Sequence, residues 1–137
     1  MKVLIVEDEF VCRKLLQSLL APYGTCDVAA NGQEAVQAFT LARQRKELYD
    51  LILMDIVMPE MDGHEALREI RELEKTMGVT GSEEVKVIMI TALDDPKNVV
   101  KAFYEGGAIS YIAKPVDRGK LNAAIKALGF SDVSPGF

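Results

Sequence analysis

The sequence predicts an α/β fold, a doubly wound parallel sheet of five strands in (βα)5 order. Three observations lead there. Short apolar runs of strand length recur five times, segments with helical spacing of apolar residues separate them, and turn or capping residues punctuate the joints. Strands that alternate with helices pair in parallel, because each helix carries the chain back across the sheet. Right-handed crossovers then place helices on both faces. Strands covered on both faces read as continuous apolar runs, as the central ones do here.

The first run, KVLIV at 2–6, precedes a helix whose expected apolar face is Val11, Leu15 and Leu19, stopped by Pro22-Tyr23-Gly24. CDVAA at 26–30 leads through Asn31-Gly32, a turn at the sheet's margin, into a helix with Ala35, Phe39 and Ala42 inward. LILM at 51–54 is third, and Asp62-Gly63 opens the helix of Leu67, Ile70, Leu73 and Met77. VKVIMI at 85–90 is fourth, followed from Asp95-Pro96 by a helix with Val99 and Phe103. ISYI at 109–112 is fifth, and its helix presents Leu121, Ile125 and Leu128 before Gly129 ends it. Each helix has one apolar face, as a surface helix must.

A chain of 137 residues fits one domain with one core. Hydrophobic residues make up 49% and charged residues 27%, too apolar for a disordered chain. The net charge of −5 argues against direct binding of nucleic acid or an anionic membrane, both of which want clustered cations. The N-terminus lacks the pattern of a signal peptide, and no run approaches transmembrane length. Cys12 and Cys26 have neither metal nor redox spacing and read as buried thiols of a reducing compartment. A cytoplasmic protein is expected.

Open parallel sheets bind ligands beyond the carboxyl ends of their strands, so the first polar residues after each run locate the site. Those are Glu7-Asp8-Glu9, Asp55, Thr91 and Lys114, all on one edge of one sheet. Two carboxylates about 4 Å apart repel by roughly 4 kcal/mol at an effective dielectric of 20. A proton or cation must relieve them. An all-oxygen site with room for water and phosphate suits Mg²⁺. Asp55 is then the candidate nucleophile for a phosphoryl group, with Lys114 and Thr91 binding the phosphoryl oxygens. Glu9 and Asp62 read as caps or surface residues, and His64, the single histidine, as a solvated residue in the first turn of its helix.

In combination, ED at 7–8, LMDIVMPEMDG at 53–63, ITA at 90–92 and YIAKP at 111–115 resemble the receiver domain of two-component response regulators. The resemblance covers residues 1–128 and leaves 129–137 as a short tail with no output domain. It implies a flavodoxin-like sheet of strand order 2-1-3-4-5. It also implies that Asp55 accepts a phosphoryl group from a phosphohistidine on a sensor histidine kinase or phosphotransfer protein. The domain itself would catalyse the gain and loss of that group and is not otherwise an enzyme. Mg²⁺ would be held by Asp8, Asp55 and the Val57 carbonyl, with Glu7 acting through water. Thr91 and Lys114 would contact the phosphoryl group, and Ala92 would leave the entrance open. Tyr111 matches an aromatic that turns inward with Thr91 and reports phosphorylation to an effector, through the face made by the fourth helix, fifth strand and fifth helix. The Lys114-Pro115 bond matches one that is cis in the family. Val57 and Leu93 flank the path of a hydrolytic water, and two aliphatic groups there imply a slowly hydrolysed phosphate.

A hydrolase of the haloacid dehalogenase type would want a second Asp two places after Asp55, where Val57 stands. A dinucleotide-binding domain would want a glycine-rich loop after the first strand, where Glu7-Asp8-Glu9 would repel phosphate. A receiver reduced to an interaction module would have lost its chemistry, whereas Asp8, Asp55, Thr91 and Lys114 are intact. The stretches ARQRKELYD and KTMGVTGSEEVK lengthen two connections at the end of the sheet away from the site. A stand-alone receiver and one excised from a larger regulator or hybrid kinase are both compatible with the sequence, which names no kinase, effector or pathway.

Overall fold

The computed structural model describes residues 1–91 and 110–130. The helix expected around Val99 and Phe103, and the expectations for Ala92, Leu93 and the last seven residues, lie outside the described residues. Five strands, β1 (Lys2–Val6), β2 (Thr25–Ala29), β3 (Leu51–Asp55), β4 (Lys86–Thr91) and β5 (Ser110–Ala113), form one sheet in the order β2-β1-β3-β4-β5. All four pairings are parallel, as expected. Four helices are described: α1 (Phe10–Leu20), α2 (Gly32–Gln44), α3 (Gly63–Thr76) and α4 (Arg118–Ala127). Among the described residues no helix is long and apolar enough to cross a membrane.

Alternation along the buried strands builds two cores. Leu4, Val6, Ile52, Met54, Val87 and Met89 pack with Ala35 and Phe39 of α2 and Leu67 and Ile70 of α3. Val3, Ile5, Leu51, Leu53, Ile88 and Ile90 face the other way, onto Leu16 and Leu20 of α1 and Leu121 and Ile125 of α4. Each fully buried aliphatic side chain contributes about 1.5–3 kcal/mol relative to exposure, so the sheet order is strongly specified.

The α1 face differs from expectation. Leu16 and Leu20 are buried, whereas Val11 and Leu15 are 71% and 48% exposed. Two apolar stripes, one residue apart, satisfy the same helical spacing; the sheet covers Leu16 and Leu20, and of the expected stripe Leu19 alone packs partly against that core. The cysteines are also partly exposed rather than buried, because Cys26 lies in the edge strand β2 and Cys12 lines an open groove beside α1. Asn31-Gly32 opens α2 at the margin of the sheet, as expected. Asn31 Oδ1 accepts from the Glu34 amide at 2.9 Å while Glu34 Oε1 accepts from the Ala30 amide at 3.0 Å, a reciprocal cap.

The two lengthened connections lie at the opposite end of the sheet from the acidic residues. Helix α2 absorbs part of the first by running on to Gln44. Beyond it, the Tyr49 hydroxyl donates to Asp27 Oδ2 at 2.7 Å, and the Lys2 ammonium sits 4.9 Å from the Tyr49 ring centre. The second is tied down by Glu74, buried to 1% exposure, whose two oxygens accept from Arg71 at 2.6 Å and from the Val85 amide at 2.7 Å.

Candidate functional site

Strand register assembles the site. Val6 pairs beside Met54, so the next residues, Glu7 and Asp55, emerge together where the winding reverses between β1 and β3. Asp55 pairs beside Ile90 and Thr91 beside Ala113, which carries Thr91 and Lys114 to the same edge. Asp55 and Thr91 are the last residues of their strands rather than the first beyond them, and both are buried. The Lys114 amide donates to the Thr91 carbonyl at 2.8 Å, and the Lys114-Pro115 bond is cis.

Lys114 Nζ donates to Asp55 Oδ2 at 2.9 Å and lies 3.7 Å from Glu7 Oε2. The other Asp55 oxygen, Oδ1, accepts from the Val57 amide at 3.1 Å. Glu7, Asp8 and Asp55 each bring one carboxylate oxygen within 4.8 Å of the others. Three carboxylates against one ammonium leave a deficit of positive charge. Burial first, then the neighbouring Asp55, pushes the Glu7 carboxyl up to about 7. For Lys114, burial works to lower the pKa, but the hydrogen bond and charge of Asp55 outweigh it and the net shift is upward.

Glu7 Oε1 accepts from the Glu9 amide at 3.2 Å, while Glu7 Oε2 is buried with no hydrogen-bond partner. A buried, unsatisfied carboxylate oxygen costs on the order of 1–3 kcal/mol. A hydrated Mg²⁺ would relieve it, so this donor set of hard oxygens fits the ion. Asp8 is exposed, as a ligand open to solvent can be, and Val57 and Tyr111 are exposed by 65% and 47%.

Asp62 caps α3 through a bond from the Glu65 amide at 2.9 Å. Glu9 occupies the N-cap position of α1 without a side-chain cap bond. His64, expected in solvent, is instead buried at 4% exposure. The Gly63 amide donates to the Ile56 carbonyl at 2.8 Å and draws the first turn of α3 under the β3–α3 loop. Sequence reasoning missed Arg13, whose guanidinium donates to the Glu7 carbonyl at 2.9 Å and steadies the turn carrying the acidic pair. It also missed the groove of about 320 Å³ between α1 and the Lys114-Pro115-Val116 turn, lined by Cys12, Leu15 and Leu16. Spacing from one helix face held no sign of either.

Residues 3–126 match the family described as the response regulator receiver domain. The chain belongs to that family. The receiver is 39% identical over 127 residues to the two-component response regulator ORR41 of Oryza sativa subsp. japonica, covering 90% of this chain and 91% of that protein. It spans about half or less of several longer relatives, such as 47% of the transcriptional regulatory protein ResD of Bacillus subtilis, at 38% identity over 93% of this chain. Among solved structures, it is similar to the Saccharomyces cerevisiae Ssk1 receiver domain crystallised with the histidine phosphotransfer protein Ypd1. There the TM-score is 0.80 at 30% identity, covering all 100% of this chain and 94% of that one.

Proposed function

We propose that this receiver accepts a phosphoryl group on Asp55 from a phosphohistidine of a sensor kinase or histidine phosphotransfer protein, and catalyses that transfer itself. The observation that carries the reading is the Asp55 carboxylate, 2.9 Å from Lys114 Nζ and grouped with Glu7 and Asp8 at the end of the sheet. An Asp55 oxygen forms a bond to phosphorus as the bond from phosphorus to the donor's imidazole nitrogen breaks, and the imidazole keeps that electron pair. Lys114 then pairs with a phosphoryl oxygen and Thr91 donates its hydroxyl to another. Glu7 (through water), Asp8, Asp55 and the Val57 carbonyl would hold Mg²⁺, which when bound neutralises charge on the transferring group.

The donor has an apolar landing surface beside the acceptor, since Phe10, Val11 and Leu15 are 61%, 71% and 48% exposed on α1. The crystallised pairing of the Ssk1 receiver with a phosphotransfer protein supports that class of partner. In this reading the domain occupies 1–128, works in the cytoplasm, and passes its signal to an effector by shifting Thr91 and Tyr111. The exposed ring of Tyr111 is the unphosphorylated setting of a two-state equilibrium.

Acetyl phosphate with Mg²⁺ is expected to add a single acid-stable, base-labile phosphoryl group, absent in Asp55→Asn. Labelling that persists in Asp55→Asn overturns the assignment.

A further inference from the structure

We infer that Gly32, at the first turn of α2, is a positioning residue for the acceptor site: it seats the loop 56–62 that carries Val57 and continues from Asp55. The loop is tied at its ends by the Ile56 amide donating to the Ile90 carbonyl at 3.0 Å and the Gly63 amide donating to the Ile56 carbonyl at 2.8 Å. Between these ties it leans on α2. Ile56 and Met58 are buried in the same core cluster as Ala35 and Phe39, and Met61 packs against that cluster. A Cβ placed on Gly32 would lie 2.6 Å from the Met61 carbonyl oxygen and 2.9 Å from Met61 Cγ.

Gly32 is buried and is not one of the positive-φ glycines, so its role is space rather than backbone freedom. The helix cannot easily yield to an added methyl. Its first turn is held by the reciprocal Asn31 and Glu34 caps, and Ala35 and Phe39 are fully packed behind it. The loop yields instead, because Val57, Pro59 and Glu60 are exposed and unsupported on the solvent side. Moving the loop moves both the Val57 carbonyl and the Val57 amide that orients Asp55 Oδ1. A residue far from phosphorus in the chain thereby sets the geometry of the metal and acceptor groups.

This inference rests on the Mg²⁺ reading of the site, and the experiment separates the two. Mg²⁺ is titrated into the unphosphorylated full chain while the Val57 amide is followed by NMR, and exchange of the Gly63 amide is measured without metal. Gly32→Ala is expected to weaken Mg²⁺ binding about tenfold, as loss of a supporting group does at metal sites, and to speed Gly63 exchange. Ala42→Gly, at the far end of the same helix, serves as the control for lost stability. It should lower Tm yet leave Mg²⁺ affinity and Gly63 exchange as in the wild type. Unchanged affinity and exchange in Gly32→Ala, or equal changes in Ala42→Gly, overturn the positioning role. Should Gly32→Ala fail to fold, Met61→Ala opens the same seat from the loop side. Several-fold weaker Mg²⁺ binding in that variant supports the role, and unchanged binding overturns it. A wild-type protein that binds no Mg²⁺ removes the metal reading, while Gly63 exchange still decides the role of Gly32.

Discussion

Glu7 and Glu74 are both 1% exposed, at opposite ends of the same sheet, and the protein treats them in opposite ways. Glu74 has a hydrogen bond on each oxygen, from Arg71 and from the Val85 amide, and clamps the long α3–β4 connection. Glu7 has one oxygen bonded and one with no hydrogen-bond partner, beside two further carboxylates. A buried carboxylate whose needs are met by its own chain is part of the scaffold. One left short of partners and of positive charge is poised for something the chain does not contain, and that difference separates the structural end of the sheet from the chemical one.

Removing the clamp is expected to have the largest effect on stability. Glu74→Ala removes the buried acceptor of one Arg71 bond and of the Val85 amide, and urea unfolding should show a loss of about 3 kcal/mol with Mg²⁺ affinity unchanged. A variant as stable as the wild type would make the clamp incidental. Glu7→Gln should do the reverse. Mg²⁺ affinity falls about tenfold, while the metal-free protein gains stability at pH 8 because a buried charge is gone. Equal Mg²⁺ titrations for Glu7→Gln and wild type would take Glu7 out of the metal site.

The pH dependence follows from the same oxygen. Glu7 is raised from 4.5 to about 7 in the folded protein, so between those values the fold holds a proton that the unfolded chain has lost. Metal-free stability from this group is therefore full below about pH 4.5 and is lost as pH rises to about 7. The slope is at most about 1.4 kcal/mol per pH unit for one proton. Thermal melts across that range should show the decline in wild type and its absence in Glu7→Gln, and a matching decline in the variant would place the titration elsewhere. Mg²⁺, competing with that proton, should bind more tightly as pH rises through the same window. The smallest effect belongs to the scaffold end. Tyr49→Phe gives up the hydrogen bond to Asp27, for about 1 kcal/mol of stability by urea unfolding. Phosphorylation by acetyl phosphate should be unchanged, and any loss of it would couple the two ends.

Most of the site was legible because each motif falls at the end of an apolar run, and a parallel sheet brings such ends to one edge whatever the details of packing. Less could be read where spacing is degenerate. Val11, Leu15 and Leu19 make as good a helical stripe as Leu16 and Leu20, and only the neighbouring strands decide which is covered. His64, next to a turn glycine, carries no local signal for burial, yet it is 4% exposed.

By itself the sequence determined the (βα) order, the inward faces of α2 and α4 and that of α3 except Met77, which is 42% exposed at the helix end, and the gathering of Glu7, Asp8, Asp55, Thr91 and Lys114. These depend on periodicity and chain order, which are local properties. Only the tertiary structure decided which oxygen of Glu7 goes without a hydrogen-bond partner, that Glu74 is satisfied, and that Gly32 is there to make room for Met61. Each of those depends on the distance between atoms far apart in the chain. Packing sets that distance, and no run of residues encodes it.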